Sequence, residues 1–339
     1  MASLSALNET FYNYNYDYDY QDDDYENILK DKKNFKLLIG SCYITYTLIL
    51  IIMQSILFIT FFKQSSILVS MPYRIMLHLG VYSLFQQICH FLSGNFLIFD
   101  LKLQTWYGYA IGSLSESSYI ASVTFVFLLT INRFDVMFNE QIFPSINRKL
   151  FFNSLVIICH SFFILLFIFF LLPDFRVYYS PGCFCWKFEK PDNKHYIAFQ
   201  VQNKTVVTLL TLSLILYLII FIKVIMTRCS KSSQKQRVLS DIRILLQALF
   251  NYVTVVFLEI CLLFSNEFFW EFDNGYSIID LINVIICGNN TILTYIMSSD
   301  IREKTFETVC GCLTSNNKVN ILKNSSNRNN TKSKHVNYV

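Results

Sequence analysis

Three carboxylates interrupt apolar stretches of this 339-residue chain: Glu116, Glu259 and Asp280. A charge facing lipid costs a few kcal/mol, so an acid inside an apolar segment points to protein or to a water-filled cavity. Their depths can be compared along the chain. Glu116 lies 17 residues before Arg133, Glu259 lies 17 after Ile242, and Asp280 lies 18 before Ser298. At ~1.5 Å of rise per residue, all three sit roughly 25–27 Å from the same ends of their helices. They therefore fall in one layer, where they would line a cavity favouring cationic or hydrogen-bonding ligands. Tyr119, one turn from Glu116, joins that layer if it faces inward. The plainer reading keeps Glu259 and Asp280 at the headgroup level, with Lys204 pairing with one of them.

Such a layer needs long apolar helices, and composition supplies them. The chain is 53% hydrophobic and only 15% charged, with 33 Phe and 21 Tyr. Its mean hydropathy is +0.40. These values describe a multi-pass membrane protein and exclude a soluble domain. Seven apolar segments lie near 37–62, 74–98, 108–133, 150–172, 203–226, 242–266 and 276–298. Each is about long enough to cross ~30 Å of hydrocarbon. All five prolines fall between these segments or at their ends, as helix punctuation should. The expected architecture is an all-α, seven-helix membrane bundle over 37–298. A short amphipathic eighth helix parallel to the membrane is expected over 299–313, and a disordered Asn/Ser/Lys-rich cytoplasmic tail over 314–339.

The segment from Gly108 to Phe134 is the least apolar of the seven. Ser113, Ser115, Ser117, Ser118, Ser122 and Thr124 mark it as a central helix surrounded by others. It ends in Asn132, Arg133 and Phe134, and Arg133 alone reads as a basic residue snorkelling at the membrane boundary.

Residues 1–36 are polar and carry an acidic tyrosine ladder, Tyr12 to Tyr25 among Asp and Glu. Composition makes this a disordered tail, either simply solvated or tyrosine-sulfated and able to capture a basic ligand. Asn8 opens a glycosylation sequon with Glu9 and Thr10. The first ten residues lack the apolar core of a cleavable signal, so the first span acts as the anchor. With the amino terminus outside, the larger share of Lys and Arg lies on the inner side, densest between the fifth and sixth spans.

The ten cysteines show no metal-ligand spacing. Most sit in apolar runs as free thiols, while Cys183 and Cys185 lie in the long connection 173–202 and could supply half of a disulfide. His78, His90 and His160 read as interhelical hydrogen bonders. No nucleophile elbow, phosphate loop or intramembrane metal motif is present, so no enzyme, cofactor or nucleic-acid partner is expected.

Leu129 to Phe134 resembles the end of the third helix in nematode chemosensory receptors, serpentine receptor class T or class X. These belong to the rhodopsin-like G-protein-coupled receptors. Pro72 to Gly80, Gly112, Leu246 to Leu249, and Cys287 to Thr294 resemble further motifs of that group, as do Ile301, Arg302 and Phe306 at the start of an eighth helix. The resemblance covers about residues 37 to 312. It implies a multi-pass receptor of the plasma membrane, its amino terminus extracellular and a sensory cilium a fitting location. Its partners would be an extracellular small-molecule or peptide ligand, the lipid bilayer and a heterotrimeric G protein. Glu116 and Asp280 fall at the family's ligand depth. Asn132, Arg133 and Asn290 would belong to the G-protein-facing switch. Cys310 and Cys312 would be palmitoylation candidates.

The chain also departs from the group. Thr291 and Thr294 replace a proline and a tyrosine, and Ser83 stands where many relatives carry aspartate, which speaks against a bound sodium ion. No cysteine opens the third helix, leaving Cys89 as a substitute partner for Cys183 or Cys185. The rival readings are a seven-helix ligand-gated channel or transporter, and a receptor homologue that binds without coupling.

Overall fold

The computed structural model describes residues 22–99, 101, 106–138, 147–180, 185–188, 194–228, 235–263 and 275–311. Asn8, Cys183, Cys312, most of the tyrosine ladder and the tail after residue 313 lie outside the described residues.

Helices α1 (Asp22–Lys63), α2 (Met71–Phe99), α3 (Trp106–Met137), α4 (Arg148–Leu171), α5 (Lys194–Arg228) and α6 (Lys235–Leu263) follow in order. Each contains a stretch long and apolar enough to cross a membrane. A bent pair, α7 (Gly275–Cys287) and α8 (Asn289–Met297), makes the seventh span. A further helix, α9, covers residues 299–311. The chain is thus a seven-helix membrane bundle. Helix α1 begins at Asp22, inside the stretch whose composition suggested a tail. Once an apolar span is helical, each added residue gains one backbone hydrogen bond.

The order of burial follows the hydroxyl content. In α3, Ser113, Ser117, Ser118 and Thr130 are fully enclosed, as are Ile120, Ala121, Phe125 and Leu129. Helix α4, rich in Phe, Ile and Leu, exposes Ile157, Ile158, Leu165 and Ile168 instead. Small residues bring α1 and α2 together, since a Cβ on Gly94 would come within 2.9 Å of the Gly40 carbonyl oxygen, the close approach that glycine permits in membranes. His160 joins α4 to α2 through His78 (3.2 Å) and the Tyr82 hydroxyl, while His90 is fully buried with no hydrogen-bond partner among the described residues.

The seventh span bends by 41° between α7 and α8, at Gly288 and without a proline. Glycine is another recognised cause of a helix break. Its role here is also steric: a Cβ on Gly288 would meet Leu50 of α1 at 2.3 Å.

The connection after α4 folds into a two-stranded antiparallel hairpin, β1 (Val177–Ser180) and β2 (Cys185–Phe188). Tyr179 pairs with Trp186 across it. The hairpin lies on α3 because Gly112 has no side chain, a Cβ there lying only 2.4 Å from the Val177 carbonyl oxygen. It caps one end of the bundle; α9 and Arg133 mark the other.

Candidate functional site

Beneath the hairpin is a cavity of about 550 Å³. Helix α3 contributes Ser115, Glu116 and Tyr119 to its wall, α6 contributes Leu258, Glu259 and Leu262, and α7 contributes Ile279, Asp280 and Asn283. Strand β2 closes it with Trp186, Lys187 and Phe188, and α5 adds Phe199, Gln202 and Asn203. The three carboxylates and Tyr119 thus meet around one space. Lys204 is exposed on α5 and takes no part in the lining.

Two phenols hold two of the acids. The Tyr119 hydroxyl donates to Glu259 Oε1, and the Tyr43 hydroxyl of α1 donates to Asp280 Oδ2 at 3.1 Å. Glu116 Oε1 has no hydrogen-bond partner among the described residues. The hairpin adds Lys187, whose amine is held below its usual range by burial, and Tyr179, whose phenol is held far above its usual range by burial and the neighbouring Asp280. Like charges in a low-dielectric space repel strongly, and a cation placed between them relieves that repulsion.

Gln86, Tyr119 and Asn283 also line a second, smaller space of about 40 Å³ deeper in the bundle. Ser83, Ser122, Asn251, Thr254 and Asn290 add to its polar wall. That volume holds a few waters at most, since one water needs ~10–15 Å³ on this measure. Asn283 Oδ1 and Asn290 Nδ2 have no protein partner among the described residues, which suits bridging water.

Below it, a ladder of amides and hydroxyls ties α6 to the bent seventh span. Asn251 donates to Asn290 (3.2 Å), Asn289 donates to Asn251 (3.3 Å) and Thr254 (2.9 Å), and Gln247 donates to Thr294 (2.7 Å). Thr291, in the place of the group's proline, donates to Gln54 of α1. Tyr295 donates to the Met53 carbonyl at 3.1 Å.

At the far end, Arg133 is buried, only 3% exposed, and its chain neighbours Asn132 and Asp135 are buried with it. It does not snorkel. Thr130, one turn earlier, donates to Tyr217 of α5 at 3.0 Å, and Arg133 lies within electrostatic reach of that phenol. Asp135 Oδ2 pairs with Arg148 Nε of α4 at 3.4 Å.

The model of a family described as serpentine type 7TM GPCR chemoreceptor Srt matches residues 6–308. The chain belongs to that family. The crystal structure of squid rhodopsin has the same fold, with a TM-score of 0.68 at 11% identity, over 84% of this chain and 87% of that one. No curated protein matches the sequence.

In this Srt chain Cys89 is not a disulfide partner. It is a free, buried thiol whose Sγ lies 3.6 Å from the Ile111 carbonyl of α3. The rotation of α2 about its axis turns it into the helix interface, away from the hairpin. Cys185 is disulfide-bonded, and its partner lies outside the described residues. Cys310 is half-buried on α9, beside exposed Val309 and near exposed Phe306.

Asn290 sits in the α6 ladder rather than beside Arg133. The structure adds Gln86, Asn251, Asn283 and the hairpin's Trp186 to the cavity walls, and Asp135 to the far end as the partner of Arg148. A signal for two of them was present. Asn283 follows Asp280 by one turn, and Asn251 precedes Glu259 by about two turns, so each shares its acid's face.

The ion pair at the far end makes a specific prediction. Arg148→Ala leaves the Asp135 carboxylate, 2% exposed, without its cation. The midpoint of thermal unfolding in detergent should fall, reflecting about 1–3 kcal/mol lost from a buried acceptor left short of donors. Arg148→Lys should recover part of the loss, and an unchanged midpoint for Arg148→Ala would mean the pair is structurally idle.

Proposed function

We propose that this chain is a chemosensory receptor of the plasma membrane that binds a cationic small molecule from outside the cell and activates a heterotrimeric G protein. The hairpin end with the cavity is extracellular, and the Arg133 end is cytoplasmic. The observation that carries this reading is the convergence of Glu116, Glu259 and Asp280 on one cavity. Its volume suits a small ligand more than a long peptide.

A ligand that binds one arrangement of α3, α6 and α7 more tightly shifts the equilibrium toward it. Tyr119 and Asn283 touch both the large cavity and the small polar one. Movement at the acids therefore reaches the Asn251–Asn290 ladder and the break at Gly288 without a long path. The buried Arg133 is the group that such opening would uncover for the G protein.

The test is a screen of amines, neutral compounds and organic acids on cells that express the full chain and report G-protein activation. Amines are expected to activate, and the Asn8→Gln receptor is expected to lose a glycan that enzymatic deglycosylation removes from the parent. Ligand-evoked current or uptake with no G-protein signal would establish the channel or transporter reading instead, and an unglycosylated Asn8 in the parent would reverse the orientation.

A further inference from the structure

The acids around the cavity form two separate sites. Glu116 of α3 and Glu259 of α6 lie together, and Glu116 feels the charge of Glu259. Asp280 enters from α7 and is held by Tyr43 of α1. Tyr179 of the hairpin lies beside Asp280, only 4% exposed, and its hydroxyl has no hydrogen-bond partner among the described residues.

A carboxylate offers about four acceptor positions. Among the described residues a phenol bond fills one of these on Glu259 and one on Asp280, so donors remain in short supply at both sites. Among the described residues the wall carries three acids and one base, Lys187. Fully ionised, it has an excess of two negative charges, which a monoamine halves and a diamine cancels. Beside the amides Gln202, Asn203 and Asn283, the wall carries apolar and aromatic side chains, Leu258, Leu262, Ile279, Trp186 and Phe199. A methylene chain suits that surface, and an ammonium against Trp186 gains a cation–π contact.

We propose that the ligand is a dicationic alkyl amine, with one ammonium between Glu116 and Glu259, the other at Asp280 beside Tyr43 and Tyr179, and the carbon chain along the aromatic and aliphatic wall. This rests on the reading of the cavity as the ligand site. An ammonium supplies three donors and accepts none, which matches the deficit at each end.

The experiment measures direct binding to the purified full chain in lipid nanodiscs, by calorimetry, with cadaverine, n-pentylamine and n-pentanol as probes. Cadaverine is expected to bind at least about tenfold more tightly than n-pentylamine, the gain from one further paired charge. Asp280→Asn should reduce cadaverine to the affinity of n-pentylamine and leave n-pentylamine unchanged. Tyr43→Phe, a milder change at the same site, should lower the cadaverine preference in part. Glu259→Gln should weaken both amines. Equal binding of the two amines overturns the proposal, as does a cadaverine preference that survives Asp280→Asn, or no binding by either amine. Failure here leaves the receptor reading standing if another compound evokes nucleotide exchange. Tight cadaverine binding with no exchange on any G protein would instead sink the signalling role and keep the diamine site.

Discussion

Cells expressing Arg133→Ala at the parent's surface density are expected to bind ligand and to show at least about a tenfold drop in agonist-driven nucleotide exchange, equivalent to ~1.4 kcal/mol of lost coupling. The argument starts from burial. A guanidinium stays charged at any physiological pH and carries five donors in a fixed plane. Enclosing one at 3% exposure, as Arg133 is, is costly. The bundle holds it within electrostatic reach of Tyr217. A second arrangement in which α6 moves away would offer that charge to a partner. Removing the side chain should therefore spare the ligand cavity at the other end. Linkage adds a sharper readout. If Arg133 couples the two ends, a G protein raises agonist affinity in the parent and fails to do so in the variant. Arg133→Lys, which keeps the charge and loses the planar fork, should fall between them. Parent-level exchange by Arg133→Ala would remove this residue from the switch.

The acids were legible in the sequence because a helix has a fixed rise. Counting residues from the far ends placed Glu116, Glu259 and Asp280 at one height, and the cavity holds all three. Rotation about each axis was not legible to the same degree. Cys89 has the right height to meet the hairpin and the wrong facing, against Ile111. Gln86, Asn251 and Asn283 lack a charge, and an uncharged amide in a span is commonly a routine interhelical bond. Only their neighbours reveal that Gln86 and Asn283 line both cavities and that Asn251 lines the smaller one. Asp135 lies just beyond the third apolar segment, and its pairing depends on Arg148, which arrives with the next helix. The bend at Gly288 was hidden for another reason. The chain lacks proline there, and Gly288 packs closely against Leu50, a residue far away in sequence. The hairpin follows the same logic, since its place on α3 depends on the missing side chain of Gly112.

Glu116→Gln should move binding and stability in opposite directions. The exchange keeps size and shape and removes one charge from a wall that already carries Glu259 and Asp280. For a cationic agonist, potency should fall by about thirtyfold or more, the cost of ~2 kcal/mol for breaking a buried charge pair. A neutral ligand, if the screen yields one, should lose little. Without ligand the variant should unfold at a higher temperature than the parent, because Glu116 is repelled by Glu259 and its Oε1 has no partner among the described residues. A site that stabilises the protein when neutralised, and fails its ligand in the same step, is one held in an unfavourable state for function. A structural role predicts the reverse: lower stability with potency unchanged. If the substitution leaves the potency of an amine agonist intact, Glu116 is not part of the ligand's counter-charge, and the acidic layer needs another explanation.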